Sequence, residues 1–420
     1  MPLLSRRITP TWLVILGLLV GPAVLVGSAA VAPSAPALAD QVRERQYWLS
    51  EYGIERAWQI TRGAGVRIAI IDTGVDGSHQ DLRGAVVGGS DFSGLGSADG
   101  QTPVGADRRH GTMVASLAAG RGNNQTDGVI GSAPEAELLS LSMSFGGGTI
   151  SPDDQIARAV RWAVDNGAQI ISLSLTRNTR DWPESWDRAF SYAAAKDVVV
   201  IAAAGNRGSG TEAVGAPATM PGVLTVGGVN RERVASSQAS AQGITIGVMA
   251  PSEGLVGAIP GGGYVAWSGT SGATPIVAGI AALVRAAYPE LDAANVINRI
   301  LATATPVTGS VPDPLYGFGI VNAYQALIAE VPLVGQNPLG SLDEWIVLHR
   351  KQEGNPIVVP LGPSLPVEPG PPASVAGVSL VQDTTMAVLP YAVSAAFAAA
   401  LLGVIIAFVV VASVSRKPVD

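Results

Sequence analysis

The sequence predicts an α/β domain, a parallel sheet covered by helices on both faces, on a chain that also carries one C-terminal transmembrane helix. Three observations predict it. Apolar, β-branched runs of strand length alternate with segments of helical period. Two of the helical segments are apolar nearly all round, which places them inside a core. A last apolar stretch, residues 386–414, is long enough to cross a bilayer, for which about 20 residues suffice.

The strands come first. Val66 to Ile71 is β-branched and ends in the turn signal Asp72-Thr73-Gly74. Leu138–Met143, Ala168–Leu175, Val198–Ala203 and Val223–Val229 are further apolar runs of strand length. Between them Asp153–Asn166 has early acidic residues and places Ile156, Val160, Ala163 and Val164 on one face, with Gly167 closing it as a C-cap. Thr112–Ala119 and Thr274–Ala287 are the two buried helices. Strand and helix in alternation give a parallel sheet with both faces covered. No internal repeat interrupts the pattern.

The ends of the chain carry different signals. Arg6 and Arg7, the apolar stretch Trp12–Val26 and the small-residue site Ala37-Leu38-Ala39 read as a signal peptide over 1–39. Residues 40–65 form a short N-terminal extension and 66–337 the main domain. From 338 to 385 runs a junction and linker, in which Pro356, Pro360, Pro363, Pro366, Pro369, Pro371 and Pro372 disfavour packed structure. Extended as polyproline, roughly 20 such residues span about 60 Å. No charged residue lies between Asp383 and Arg416, and Arg416 and Lys417 follow at once. Basic residues there put the tail, 415–420, in the cytoplasm and the body outside.

Composition narrows the function. The net charge is −7, which disfavours nucleic acid as a partner. There is no cysteine, so disulfides, cysteine–zinc sites and a thiol nucleophile are all excluded. An exported chain without disulfides rests on its core alone.

Four short motifs stand out, in a fixed order. Asp72 ends the first strand. His110 opens a buried helix in His110-Gly111-Thr112. Asn206 follows a strand in Ala204-Gly205-Asn206. Ser271 opens the long apolar helix in Gly269-Thr270-Ser271-Gly272-Ala273-Thr274-Pro275. Their chemistry fits together as acyl transfer. A serine hydroxyl needs a base to attack a carbonyl, and His110 supplies one. Asp72 fixes the imidazole tautomer and stabilises its cation. The Asn206 amide and the Ser271 backbone N–H are donors for an oxyanion, beside the positive end of a helix. Gly272 and Ala273 are read as leaving room for substrate. The chain has three histidines, of which only His110 lies in such a motif; His79 reads as structural and His349 as surface. The order Asp, His, Ser differs from the α/β-hydrolase order, in which His comes last.

Ile71-Asp72-Thr73-Gly74-Val75-Asp76, His110-Gly111-Thr112-Met113-Val114-Ala115, Ala204-Gly205-Asn206 and Gly269-Thr270-Ser271 resemble the motifs of the subtilases, over about Gln41 to Ala329. The resemblance implies a subtilisin-like three-layer fold with a mainly parallel seven-stranded sheet, and serine endopeptidase activity with Asp72, His110 and Ser271 catalytic and Asn206 in the oxyanion hole. It also implies that a peptide substrate adds as a strand beside Leu141–Phe145 and Ser172–Thr176, with Ser174, Leu175 and Thr176 lining the primary specificity pocket. Thr176 stands where glycine is usual, which predicts a narrowed pocket. Met113, Ser116 and Gly272 are further departures, none of which removes a catalytic atom.

The signal peptide, the segments Gln46-Tyr47-Trp48-Leu49 and Tyr52-Gly53-Ile54, the Pro-rich linker and the terminal membrane helix are together similar to the mycosins of type VII secretion systems. That resemblance implies a cell-membrane protease with its catalytic domain outside, a protein or peptide substrate, and a type VII secretion membrane complex as partner. Mycosins carry disulfides, which this chain lacks. A bracing subunit of such a complex and a housekeeping surface protease are the other functions compatible with these features. No cofactor is expected and no metal ligands are assigned. Asp81 and the 122–128 loop lie where some subtilases hold structural calcium, and such a loop is more often simply solvated.

Overall fold

The computed structural model describes residues 40–123, 127–146, 148–350 and 378–380, so the signal-peptide and membrane-helix expectations lie outside the described residues. The described residues belong to one compact unit, Leu38–Asp420. It begins with three short helices, α1 (Asp40–Glu44), α2 (Trp48–Glu51) and α3 (Ile54–Ala57). There follow β1 (Arg67–Asp72), β2 (Val86–Asp91), α4 (His110–Ala119), β3 (Glu137–Ser142), α5 (Pro152–Asp165), β4 (Ile170–Leu173) and β5 (Leu175–Arg177). Next come α6 (Glu184–Ala195), β6 (Val199–Ala203), β7 (Leu224–Val229), β8 (Ile246–Pro251) and the hairpin β9–β10 (Leu255–Ala258, Tyr264–Trp267). The last elements are α7 (Thr270–Ala287), α8 (Ala293–Ala302), α9 (Ala323–Ile328), α10 (Leu342–His349) and the short strand β11 (Val378–Leu380).

Seven strands form one sheet in the order β2-β3-β1-β4-β6-β7-β8. Every neighbouring pair is parallel. Helices α4 and α7 pack together against one face, and α5 and α6 pack together against the other. This is the subtilisin-like three-layer fold that the sequence motifs imply. The chain reverses direction across the sheet at β1, which has β3 on one side and β4 on the other. Crevices at such switch points, beyond the carboxyl ends of the strands, are where ligands bind in open α/β sheets. Asp72 is the carboxyl-terminal residue of β1.

The helices form for the reasons their sequences give. Ser151 caps α5 by accepting from the Asp154 N–H, Pro152 sits in the first turn, and Gly167 beyond the end adopts φ +77°. Helix α7 is buried nearly throughout. Among the described residues it alone is long and apolar enough to cross a membrane, but it is the central core helix. Each fully buried Ile, Leu or Val contributes roughly 1.5–3 kcal/mol, and the sheet and α7 supply these in quantity. The segment predicted as a strand over Ala168–Leu175 is broken at Ser174. Strand β4 stays in the sheet, whereas β5 leaves it.

The packed body continues to Arg350. Trp345 of α10 lies against Trp182 with ring centroids 4.5 Å apart, and Arg350 Nη2 donates to the Trp182 carbonyl at 2.7 Å.

Candidate active site

The polar network starts at the end of β1. The Asp72 carboxylate faces His110 Nδ1 with both oxygens, at 2.8 and 2.9 Å, and both side chains are buried. Facing two carboxylate oxygens, Nδ1 carries the proton, which leaves Nε2 as the basic nitrogen. Asp72 Oδ1 also accepts the Thr73 N–H at 2.7 Å. Thr73 Oγ1 in turn accepts the Gly111 N–H at 3.0 Å, a donor in the first turn of α4 that its own helix leaves unpaired. One residue thus orients the carboxylate and seats the helix that carries the histidine. The approach is close: a Cβ on Gly111 would stand 2.3 Å from the Gly74 carbonyl. The His-Gly pair is therefore a packing requirement as much as a motif.

Behind the imidazole, the Trp267 ring meets it edge-on with centroids 6.0 Å apart. Trp267 ends β10, just before the turn into α7.

Helix α7 delivers Ser271 in its first turn. Pro275 has no N–H, so the Ser271 carbonyl lacks its donor four residues on. Ser174 replaces it: its Oγ donates to the Ser271 carbonyl at 2.9 Å. In the opposite sense Ser271 Oγ lies 3.5 Å from the Ser174 carbonyl. Ser174 is thus brought against Ser271, but its hydroxyl is spent on holding α7.

Asn206 follows β6. Its Oδ1 accepts from the Thr270 N–H at 2.9 Å and from Thr270 Oγ1 at 3.1 Å. With the carbonyl end committed to Thr270, Nδ2 is the donor end of the amide. Gly269, at φ +148°, makes this possible, since a Cβ there would lie 2.8 Å from Asn206 Nδ2. Thr73, Thr270 and Trp267 are the site residues to which sequence reading gave no role. Thr73 and Thr270 stand inside the quoted motifs, but only their bonding partners identify what they do.

Leu175 and Thr176 begin β5 and are buried. Thr176 Oγ1 donates to the Arg177 carbonyl at 3.0 Å and faces Gly215. Gly272 does not face a substrate groove as expected. A Cβ there would meet Leu255 Cδ1 at 2.3 Å, with Trp267 and Leu117 next, so this glycine admits the β9–β10 hairpin against α7. His79 is buried, accepts the Asp81 N–H on Nδ1 and bonds the Gly263 carbonyl through Nε2, as a structural histidine does. His349 is exposed on α10.

A calcium ion near Asp81 would need carboxylate and carbonyl oxygens turned towards a common point. They are used otherwise. Arg43 donates to the Gly128 carbonyl at 3.1 Å and to the Asp127 carbonyl at 2.8 Å. Asp81 accepts the Val129 N–H at 2.7 Å and the Tyr264 hydroxyl at 3.3 Å, and burial holds its carboxyl above the ordinary Asp range. A guanidinium thus already bonds the two carbonyls beside Asp81. Among the described residues no group of three or more acidic or histidine side chains is placed to bind a metal.

Comparison with known proteins agrees with this geometry. Residues 63–319 match the Subtilase family. Thermitase of Thermoactinomyces vulgaris is 36% identical over 285 residues, which cover 67% of this chain and 96% of thermitase. Subtilisin DY of Bacillus licheniformis is 37% identical, over 63% of this chain and 92% of its own length. Among solved structures, the MycP3 protease of the type VII (ESX-3) secretion system superposes with a TM-score of 0.57 at 32% identity, covering 67% of this chain and 88% of that one. MycP1 of Mycobacterium smegmatis superposes with a TM-score of 0.58 at 31% identity, covering 70% and 86%. The chain belongs to the subtilase family and is a subtilisin-like serine protease.

Proposed function

We propose that the protein is a membrane-anchored extracellular endopeptidase of the mycosin type, which cuts protein substrates of a type VII secretion system with Ser271 as nucleophile. The observation that carries the catalytic reading is the Asp72 carboxylate set across His110 Nδ1, which turns Nε2 into a base. Ser271 Oγ attacks the substrate carbonyl carbon and gives its proton to His110 Nε2. The tetrahedral oxyanion accepts from Asn206 Nδ2 and the Ser271 backbone N–H. His110 then passes the proton to the departing amine as the C–N bond breaks, leaving an acyl-serine. Water, deprotonated by the same histidine, releases the acid. Leu175 and Thr176 would line the pocket for the residue before the cut, and Thr176 would narrow it.

The secretion role draws support from the MycP structures, whose descriptions place them in ESX-1 and ESX-3 systems. The membrane topology draws on the sequence alone, with residues 386–414 as anchor and Arg416 and Lys417 inside.

The test is labelling of the full chain, purified in detergent, with a fluorophosphonate. The wild-type chain is expected to be labelled on Ser271 and the Ser271→Ala chain not at all. A chain left unlabelled both as wild type and with its 378–380 strand weakened would overturn the catalytic assignment and leave a bracing role.

A further inference from the structure

Strand β5 has left the main sheet, and its partner is a segment of the same chain. Strand β11 pairs with it antiparallel, in the register Val378 to Arg177, Ser379 to Thr176 and Leu380 to Leu175. The direction matters. Leu175 follows Ser174, whose carbonyl lies 3.5 Å from Ser271 Oγ, whereas Arg177 is further along. An antiparallel partner therefore runs towards the nucleophile, with its Leu380 end nearest. That is the place and polarity of an extended peptide that adds its backbone to β5 and offers the next bond to Ser271.

A second observation agrees. Ser271 is 0% exposed and His110 and Asn206 each 2%, and Ser174, Leu175 and Thr176 are buried as well. A site that must receive a protein chain is closed to solvent in this conformation.

We propose that Val378–Leu380 is a self-inhibitory strand, which holds the substrate position on β5 until a substrate displaces it. The inference rests on the peptidase reading above. It places the inhibitory segment between the catalytic body and the predicted membrane anchor, so that a pull or a binding event on that stretch would open the site.

The size of the effect follows from competition. A segment tethered in cis acts at an effective concentration on the order of 1 mM, so an intrinsic dissociation constant of about 0.1 mM would raise the apparent KM about tenfold. The experiment uses the full chain in detergent. Ser379→Pro removes a backbone N–H from the strand opposite Thr176. A second variant, Val378→Gly with Leu380→Gly, weakens the strand by another route. Both are expected to lower KM for an extended peptide anilide about tenfold with kcat unchanged. In the Ser271→Ala background, hydrogen exchange at residues 175–177 is expected to quicken with either change. Unaltered peptide KM and unaltered exchange in both variants, with fluorophosphonate labelling intact, would overturn the proposal alone. Absence of labelling in every chain would overturn the peptidase reading and this one with it.

Discussion

Two regions of the molecule are built from the same material and put to opposite uses. At the end of β1, buried polar groups are arranged so that Nε2 of His110, Nδ2 of Asn206 and the Ser271 N–H suit a substrate. At the N-terminal clasp, formed by α1–α3 on the 127–130 segment, Gln46 and Arg43 pair with the chain itself. Gln46 Nε2 donates to the Ile130 carbonyl at 2.8 Å while its Oε1 accepts the Ile130 N–H at 2.9 Å. Arg43 takes the two carbonyls before Val129, and Trp48, Leu49 and Ile54 fill the space beneath. Although the buried Trp48 Nε1 and Tyr52 hydroxyl find no partner among the described residues, the apolar packing around them gives the clasp stability. The site is arranged for chemistry. Substitutions at the two should therefore separate mainly into losses of turnover and losses of folding.

The largest separation is at the site. Ser271→Ala should lower kcat by roughly a millionfold, and Asn206→Ala by about a hundred- to a thousandfold. Both magnitudes are those known for subtilisin itself and are carried over to this chain as a relative. Ser271→Ala should leave the melting temperature within a few degrees, whereas Asn206→Ala also takes the acceptor from the buried Thr270 N–H and hydroxyl and should cost about 1–3 kcal/mol of stability. Equal losses of kcat in the two, measured on one peptide anilide, would show that Asn206 does more than donate to an oxyanion.

At the clasp the order inverts. Trp48 is fully buried, and Trp48→Ala should cost about 3–5 kcal/mol in unfolding free energy. Denaturant unfolding reads that loss, and kcat at a temperature where the variant remains folded should stay near wild type. A matching fall in kcat would mean that the clasp and the site are one mechanical unit.

How much of this contrast the sequence displays depends on the kind of residue. Asp72, His110, Asn206 and Ser271 stood out as a set because the proposed acyl transfer demands particular atoms in a particular order along the chain. Five of the seven sheet strands were legible as apolar runs. Strand β2 was not: it reads Val-Val-Gly-Gly-Ser-Asp, with glycines where strands avoid them. The reason is tertiary. A Cβ on Gly89 would stand 2.2 Å from the Asp99 and Ser140 carbonyls, so the strand gives up a side chain to let a loop cross it. Strand β8 was hidden in the same way, its Gly247 facing Leu224. The turn of β5 out of the sheet was also invisible, because Ser174 differs from its apolar neighbours only by a hydroxyl whose partner, the Ser271 carbonyl, lies far along the chain. Arg43 escaped for a like reason. Nothing local marks an arginine in a short helix as the cation for a loop more than eighty residues away.

That arginine gives the smallest and most discriminating test. Its guanidinium is half-buried and donates to the Asp127 and Gly128 carbonyls. Burial lowers its pKa, while the Asp81 and Asp127 carboxylates raise it again, the balance expected of a cation held by its surroundings. Arg43→Ala should cost about 1–3 kcal/mol, since the Gly128 and Asp127 carbonyls each lose a charged donor, although the Asp127 carbonyl keeps the Asn123 N–H. In the wild-type chain neither calcium nor a chelator should shift the melting temperature, because Arg43 already bonds these carbonyls. In Arg43→Ala the same oxygens face an emptied space, and a bound ion would stabilise by RT ln(1 + [L]/Kd). Calcium should therefore raise the melting temperature of the variant and not that of the wild type. A chelator that destabilises the wild-type chain would show that Arg43 shares the loop with a metal instead of replacing it.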